Sequence, residues 1–446
     1  MKMMLALSAA ALAMAATAAQ AAPRSISGVF NGTPWTASNM IVGQTGTGTA
    51  VAVPPGDPIY NPTFPAYSGV VTLIMDYSFG SFICSGSLLP DRVRILTAAH
   101  CVTDGPTLER PNRVTAYFHS QISPDEVPFF TGASVKVGKI FVHPDYTGDV
   151  IDDSDLAVLQ LSALAPASAV SYELASIADL TGLDFNVAGY GGRSLTGGDV
   201  GANLGTGRLR QGDNNFIARL GDPDFTGGWE VIFGVPTAQL DQSWISDFDR
   251  TGVAANDAMC IVAANPFFGL GGPKYCNTGV GPKEATVAGG DSGGPQFIGG
   301  KIVSVTSYGF TFGSSFGDVD DFLNSSWGEF AGFVPVFPYL DWIASAVPAP
   351  PAVAWFGLGL AGLGVARPRR AGGPAATGGL PSRGDGGGAV AVAAAPFLCA
   401  RPMTRPVRSR PRSPCAPSPH SGSARGRTAR HPRTAWPGPG WRVWRP

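Results

Sequence analysis

The sequence Gly289-Gly290-Asp291-Ser292-Gly293-Gly294-Pro295 surrounds one serine with glycines. Glycines on both sides favour a tight, exposed turn and let backbone N–H groups point at whatever the hydroxyl attacks. A tetrahedral oxyanion needs donors that are already aimed at it, so the pattern suits an acyl-transfer nucleophile. A plain glycine turn between two strands is the alternative.

Two further segments stand upstream of this serine in a fixed order. Leu96-Thr97-Ala98-Ala99-His100-Cys101 contains a histidine, and Asp152-Asp153-Ser154-Asp155-Leu156-Ala157-Val158-Leu159 contains acids before a short apolar run. An imidazole titrates near pH ~6.5 and can accept a hydroxyl proton at neutral pH. The order His100, Asp155, Ser292, each in its own motif, resembles the trypsin/chymotrypsin-like serine protease family.

The resemblance implies a role for each of these groups. Ser292 would attack the scissile carbonyl, His100 would act as general base, and Asp155 would orient the imidazole. The backbone N–H groups of Gly290 and Ser292 would form the oxyanion hole. The predicted function is that of a serine endopeptidase acting through an acyl-enzyme, without a metal or organic cofactor.

Asp155 competes with two neighbouring acids for the orienting role. The family places its aspartate directly before a Leu/Ala–Val–Leu run, which favours Asp155, and we expect Asp152 and Asp153 to face solvent. His119 and His143 are expected to be structural, because a lone histidine is more often structural than catalytic.

The predicted fold is all-β, with two antiparallel six-stranded barrels and a short C-terminal helix, and the resemblance extends over residues 41–346. Sixty glycines, 44% hydrophobic and 14% charged residues agree with a turn-rich β protein. Residues 68–75 and 82–89 predict consecutive strands, and residues 337–343 the closing helix. The excess length in residues 192–259 predicts surface loops. A calcium loop is conceivable from the acids of that region, although no ligand spacing supports one.

Four of the six cysteines fall within this domain. The resemblance implies that Cys84 and Cys101 form the disulfide that holds the histidine loop, and that Cys260 and Cys276 close a second loop. Free buried thiols are the alternative.

The specificity pocket is also predicted by resemblance. Thr286 would lie at the base of the pocket and Gly309 on its wall, while Ser307-Tyr308-Gly309 would bind the substrate backbone as an added strand. Since threonine carries no charge, we expect a neutral apolar or small side chain to be preferred over Arg or Lys. Ala288 stands where the family often has another cysteine, so the pocket wall is expected to lack the disulfide that such a cysteine would form.

Ile41-Val42-Gly43 resembles the freed N-terminus of an activated enzyme of this family. The new ammonium group would pair with Asp291, which would make the protein a zymogen with residues 22–40 as its leader. A chance strand start at Ile41, or a start near Val53, stays open.

The N-terminus predicts export. Met1-Lys2, an alanine-rich apolar run and Ala19-Gln20-Ala21 match a secretory signal peptide over residues 1–21, with a membrane anchor as the alternative. From Arg367 onward there are 15 arginines and one acid, which leaves 16 basic against 31 acidic residues before that point. An acidic body argues against nucleic acid as a partner.

Residues 347–370 combine a Pro-rich motif, a short apolar segment and a basic stop. This pattern resembles a PEP-CTERM sorting signal of Gram-negative bacteria, which implies processing by an exosortase-type enzyme and transient inner-membrane association through residues 352–370. The alternative is a Gly-rich linker. Residues 371–446 lack periodicity and predict a disordered tail, either a frameshift readthrough or a basic tail that binds anionic surfaces.

Two other functions stay open at this point. A catalytically silent homologue could bind proteins through the same cleft, and a surface-attached structural protein could use the barrels as a scaffold. Both classes lack a reactive serine, so labelling of Ser292 by a fluorophosphonate would separate them from the protease.

Overall fold

A computed structural model describes residues 25–30, 32–38, 42–43, 57–103, 110–270 and 273–346, and its elements are mostly β-strands. The predicted signal peptide, Ile41, the sorting segment and the tail lie outside the described residues. No helix of the described part is long and apolar enough to cross a membrane.

The first two strands, β1 Ile26–Phe30 and β2 Thr33–Ser38, lie in residues 22–40, the segment that was predicted to be a leader. β3 Val42–Gly43 follows that segment. β1 and β2 form an antiparallel hairpin in which Phe30 pairs with Thr33. The hairpin buries Phe30, Trp35 and Ala37 in a core of the domain, so these residues are an integral part of the described fold.

A closed six-stranded barrel follows, in the order β4-β5-β6-β9-β8-β7. Its strands are β4 Val70–Tyr77, β5 Gly80–Leu88, β6 Arg94–Thr97, β7 Arg113–Phe118, β8 Ala133–Val142 and β9 Ala157–Leu161. β4 and β5 are the two strands predicted from the sequence, and a two-residue turn joins them because Tyr77 pairs with Gly80. β6 and β9 lie side by side, which brings the ends of the His100 and Asp155 segments to the same edge.

The second half of the domain is an antiparallel half-barrel in the order β11-β10-β15-β16-β17-β13-β12. Its strands are β10 Asp184–Gly189, β11 Arg210–Asn215, β12 Ala218–Arg219, β13 Trp244–Asp247, β15 Pro295–Ile298, β16 Lys301–Thr311 and β17 Phe330–Pro335. β14 Ala285–Thr286 pairs with β3 in a separate two-stranded sheet. The predicted all-β class is confirmed, with the second barrel present as this half-barrel.

Five short helices complete the described fold. They are α1 Pro128–Thr131, α2 Gly228–Phe233, α3 Thr237–Leu240, α4 Ala258–Ala264 and α5 Leu340–Ser345. α5 is the predicted C-terminal helix, and its carbonyls at Ile343 and Ala344 accept hydrogen bonds from Arg94 of β6. The helix therefore closes against the first barrel.

The region from 192 to 259, predicted to form surface loops, is built into the core instead. It supplies β11 and β13 and the buried side chains Phe216, Trp229, Trp244 and Phe248. The high Gly, Asp and Asn content suggested exposed loops, but the aromatic residues of this region are buried and pack in the core. This prediction was wrong for the greater part of the segment.

Both predicted disulfides are present. Cys84 joins Cys101 and Cys260 joins Cys276, across sequence separations of 17 and 16 residues. Closing loops of about this size stabilises by roughly 3 kcal/mol in the chain-entropy model. The first disulfide ties β5 to the turn that carries His100.

An aromatic core fills the second half. Phe310 of β16 is fully buried and stacks on Phe330 of β17 with ring centroids 4.6 Å apart. Phe233 and Trp229 of α2 also pack on Phe310. β16 is therefore fixed from both sides, which matters because this strand also carries the predicted substrate-binding residues.

Replacing Phe310 by alanine should lower the free energy of unfolding by about 3–5 kcal/mol, because a buried phenylalanine leaves a cavity when it is removed. Phe322→Ala is the matched control, since that side chain is 72% exposed, and its effect should stay within about 0.5 kcal/mol. Urea denaturation with the disulfides intact measures both. Similar losses in the two variants would contradict the assignment of the core.

Candidate active site

The carboxylate of Asp155 holds His100 at two points. Its Oδ2 lies 2.6 Å from His100 Nδ1, and its Oδ1 accepts a hydrogen bond from the backbone N–H of His100 at 2.8 Å. Ser307 Oγ donates a further hydrogen bond to Oδ2, also at 2.6 Å. Asp155 is buried at the entry to β9, so it meets these partners in a place from which water is largely excluded.

His100 lies in a short 3-10 turn, Ala99–Cys101, directly after β6. Its side chain is 16% exposed whereas that of Asp155 is 3% exposed, so the ring lies between the buried acid and the surface. A carboxylate that accepts from Nδ1–H fixes the tautomer of a neutral ring and leaves Nε2 as a proton acceptor. This is the arrangement that a general base needs.

The turn that carries Ser292 docks on the first barrel. The carbonyl oxygen of Ser292 accepts from the backbone N–H of Ser85 at 2.8 Å and lies 3.6 Å from the Sγ atom of Cys101. That sulfur is in turn 3.9 Å from Nε2 of His100. The serine turn and the histidine turn therefore lie on either side of the Cys84–Cys101 disulfide.

The glycines around Ser292 are required by close packing. Gly293 has a φ of +80°, and a Cβ atom there would lie 2.0 Å from Thr97 Oγ1. Gly290 has a φ of +104°, which L side chains rarely adopt. Ser85 Oγ also donates to the carbonyl of Gly290 at 2.9 Å. The sequence pattern thus reflects a turn pressed against the neighbouring barrel.

Asp291 is completely buried beneath the serine turn. Its Oδ1 accepts from Gly191 N at 2.7 Å and its Oδ2 from Ala288 N at 3.0 Å. Burial raises the pKa of Asp291 well above its usual range, and the hydrogen bond from Gly191 opposes that rise. The predicted partner, Ile41, lies outside the described residues, but the next residue, Val42, pairs with Thr286 of β14.

The predicted pocket residues are mostly buried. Thr286 is 3% exposed, and the ring of Tyr308 is fully buried with its hydroxyl 2.6 Å from Ser243 Oγ. The Tyr308 side chain therefore contacts the interior and leaves only its backbone for a substrate. Ser307 directs its hydroxyl to Asp155, a contact that the sequence analysis did not foresee.

Gly309 already has a strand beside it. It pairs with Ser38 of β2, while Phe310 pairs with Ala37 and Thr311 with Thr36. The edge of β16 that was predicted to bind a substrate backbone is thus covered at this position by the chain's own N-terminal hairpin. Nothing in the composition of residues 25–38 signalled this.

The expectation that Asp152 and Asp153 face solvent was wrong. Both are buried, because Asp152 accepts from the backbone and hydroxyl of Thr147 and Asp153 accepts from the backbone N–H of Gln242. Burial raises the pKa of Asp153 to about 6, and the bond from Gln242 opposes the rise. Thr147 lies five residues before Asp152, whereas Gln242 is 89 residues from Asp153, and both donors lie outside the motif from which the exposure was predicted.

His119 and His143 make packing contacts. His119 stacks on Phe64 with ring centroids 4.3 Å apart, and His143 packs edge-on against Trp342 at 4.8 Å. Burial lowers the pKa of each imidazole. Neutral, buried rings of this kind suit the structural role expected for them.

Three groups of described residues bring metal-ligating atoms together. Two of them use cysteines that are joined in the disulfides, whose sulfur atoms are not available as thiolates. The third consists of Asp247, Asp249 and Asp257 and lies apart from the His100–Asp155 pair along the chain.

Comparison with known proteins agrees with this geometry. The Trypsin family model matches residues 63–215, a range that contains His100 and Asp155 and ends before Ser292. The chain is 28% identical over 233 residues to trypsin delta and to trypsin gamma of Drosophila erecta, covering 52% of this chain and 70% of each relative. It is 25% identical over 258 residues to trypsin, alkaline B, of Manduca sexta, covering 55% of this chain and 78% of that protein. Together these matches support a trypsin-like serine protease at the level of the family.

Gly191→Ala should lower the melting temperature by several degrees, because the new Cβ atom would lie 2.2 Å from Asp291 Oδ2. Overpacking of this kind costs about 1–3 kcal/mol, and each kcal/mol shifts the melting temperature by roughly 2–4 °C in a domain of about this size. Gly192→Ala is the control, because its Cβ would meet the Cβ atoms of Ala202 and Ala288 at 3.4 Å and the carbonyl oxygen of Leu204 at 3.8 Å. Thermal unfolding followed by circular dichroism compares the two, and equal shifts would disprove the close packing on Asp291.

Proposed function

We propose that this trypsin-like protein is an exported serine endopeptidase that hydrolyses peptide bonds through an acyl-enzyme on Ser292. The main support is the carboxylate of Asp155, which binds both the ring and the main chain of His100. The docking of the Ser292 turn beside the same histidine adds to it. The substrates that the trypsin family implies are proteins or peptides.

In the proposed reaction, Ser292 Oγ forms a bond to the scissile carbonyl carbon while its proton passes to Nε2 of His100. Asp155 stays ionised and stabilises the imidazolium. The imidazolium then gives the proton to the leaving amine, the C–N bond breaks, and an ester remains on Ser292. A water molecule repeats the sequence, passing its proton to His100 and releasing the carboxylic acid product.

The oxyanion would be bound by the N–H groups of Gly290 and Ser292. Around them, the N–H groups of Asp291, Gly293 and Gly294 donate to the carbonyls of Ala288, Thr306 and Asp291. Within the described part of the chain, the N–H groups of Gly290 and Ser292 donate to no protein acceptor. Because nearly all buried backbone donors in proteins are paired, two unpaired neighbours on one turn favour an anionic ligand there.

After cleavage before Ile41, the wild-type protein should be labelled by a fluorophosphonate probe, and the equally cleaved Ser292→Ala variant should not. Ser345→Ala is the control, because Ser345 lies in the C-terminal helix α5 and its hydroxyl bonds only to the carbonyl of Trp342. In a peptidase assay Asp155→Asn should lose activity by about 10⁴-fold, as expected when the histidine is held in the wrong tautomer. Gel fluorescence and peptide turnover are the measurements.

The outcomes separate this proposal from the other functions. A wild-type protein that is folded, cleaved before Ile41 and still unlabelled would indicate a silent binding protein or a structural scaffold. Labelling that persists in Ser292→Ala would place the reactive nucleophile elsewhere in the chain.

The pocket is proposed to accept a neutral side chain. Thr286 would form its base and Gly309 part of its wall, and neither carries a charge that would select Arg or Lys. The substrate backbone would add to β16 at Ser307-Tyr308-Gly309.

Export is proposed from the signal peptide over residues 1–21 and is supported by the two disulfides, which suit an oxidising compartment. Residues 347–370 would then act as the sorting segment of a Gram-negative bacterium, cut by an exosortase-type enzyme after transient inner-membrane association through residues 352–370. The destination would be the cell surface or the extracellular matrix.

Activation is proposed to need two events. Cleavage before Ile41 would free an ammonium group for Asp291, as in a zymogen, and the pairing of Val42 with Thr286 keeps this segment near the serine turn. The hairpin of β1 and β2 would then have to leave the edge of β16, because Ser38 pairs with Gly309 where a substrate would bind. Phe30 and Trp35 hold it there by burial.

Trp35→Ala should therefore lower KM for an extended peptide substrate by about tenfold in protein already cleaved before Ile41, since losing a buried tryptophan costs about 3–5 kcal/mol of hairpin binding. Val29→Ala in β1 is the control, because that side chain is 68% exposed. Intact mass gives the cleavage state and steady-state kinetics give KM. An unchanged KM together with a lower melting temperature would mean that the hairpin is purely structural.

A further inference from the structure

Three buried carboxylates converge at the end of β13. Asp247 is its last residue, Asp249 follows two residues later, and Asp257 precedes α4. One carboxylate oxygen from each lies within 4.8 Å of the others, and all three residues are classed as buried. Glu284, also buried, joins them by accepting from the backbone N–H of Asp249 at 2.7 Å.

The cluster has unused coordinating capacity. Asp247 and Asp249 are each 1% exposed, and the Oδ1 atom of each has no hydrogen-bond partner. Asp247 Oδ2 accepts from Met259 N at 2.7 Å and Asp257 Oδ1 from Cys260 N at 2.9 Å, so one oxygen of each of these carboxylates is already oriented by the backbone. Buried polar atoms without partners are rare in native proteins and call for a specific explanation, such as a bound ion.

No basic side chain of the described residues forms an ion pair with Asp247, Asp249 or Asp257. Arg250, adjacent in sequence to Asp249, lies over the ring of Trp327 at 4.6 Å instead. Several carboxylates at this separation in a place of low dielectric repel one another strongly unless they bind protons or a cation.

We propose that Asp247, Asp249 and Asp257 bind a divalent cation of the calcium type, with Glu284 positioning Asp249 through its backbone. Carboxylate oxygens are hard donors, and hard cations such as Ca²⁺ accept them in flexible geometries completed by water. The side chains supply no free thiolate or imidazole to the cluster, which argues against a transition metal.

The bound cation would stabilise the segment of the chain that leads to the serine turn. It joins β13, the start of α4 and the residues before β14, and Glu284 is followed directly by Ala285 and Thr286. The Cys260–Cys276 disulfide links α4 to the segment that precedes β14. A cation there would hold the predicted base of the pocket from behind.

The test uses the full secreted protein carrying Ser292→Ala, which prevents self-digestion. After removal of metals with a chelator, about 1 mM Ca²⁺ at pH 7 should raise the melting temperature by at least about 5 °C, as expected for a ligand near 100 times its Kd. Titration calorimetry should show a single Ca²⁺-binding event per chain. Mg²⁺ at the same concentration should give a smaller shift.

The variants locate the site. Asp249→Asn should weaken binding at least tenfold and remove most of the thermal shift, and Asp257→Asn should do the same if the first variant fails to fold. Asp318→Asn is the matched control, because Asp318 is 4% exposed but is fully engaged by Thr311, Asp320 and Ser326. No calcium-dependent shift in the parent protein, or equal shifts in all variants, would overturn the proposal. A magnesium shift as large as that of calcium would overturn the calcium assignment.

Discussion

One carboxylate connects the two halves of this domain. Asp155 belongs to the closed barrel and accepts from His100 of the same barrel, but its third hydrogen bond comes from Ser307 on β16 of the half-barrel. A charge-assisted hydrogen bond is worth about 1.5–3 kcal/mol and is directional. The position of the imidazole is thereby set by both halves at once, and the rest of the site is arranged around this contact.

The features that the sequence predicted correctly are those that depend on residues close together in the chain. The glycines at 290 and 293 were placed correctly on a turn because their conformations and close contacts tolerate no side chain. The His100–Asp155 contact was expected from the resemblance of the two motifs to those of a known family. Burial of Asp152 and Asp153 was missed because Thr147 and Gln242 satisfy them from outside the motif. Gln242 becomes a neighbour of Asp153 only when the chain has folded.

The half-barrel was harder to anticipate for a related reason. Residues 192–259 are rich in turn formers, yet Trp229 and Phe216 in that region are fully buried. Their positions depend on packing against β16 and β17, which lie about a hundred residues further along the chain. The packing of the hairpin of residues 25–38 was missed for the same reason. Phe30 and Trp35 attach it to the half-barrel core, and their ring partners are distant in sequence.

The interface between the closed barrel and the half-barrel affects how the site responds to heating. The serine turn is held to β5 by Ser85, whose backbone N–H and hydroxyl bind two carbonyls of that turn and whose oxygen accepts from Tyr190 N. These contacts cross the boundary, whereas each half has its own sheet and much of its own core. A disturbance that parts the halves would separate the Ser292 turn from His100 while leaving both sheets intact. The proposed activity would then be lost on heating before the secondary structure.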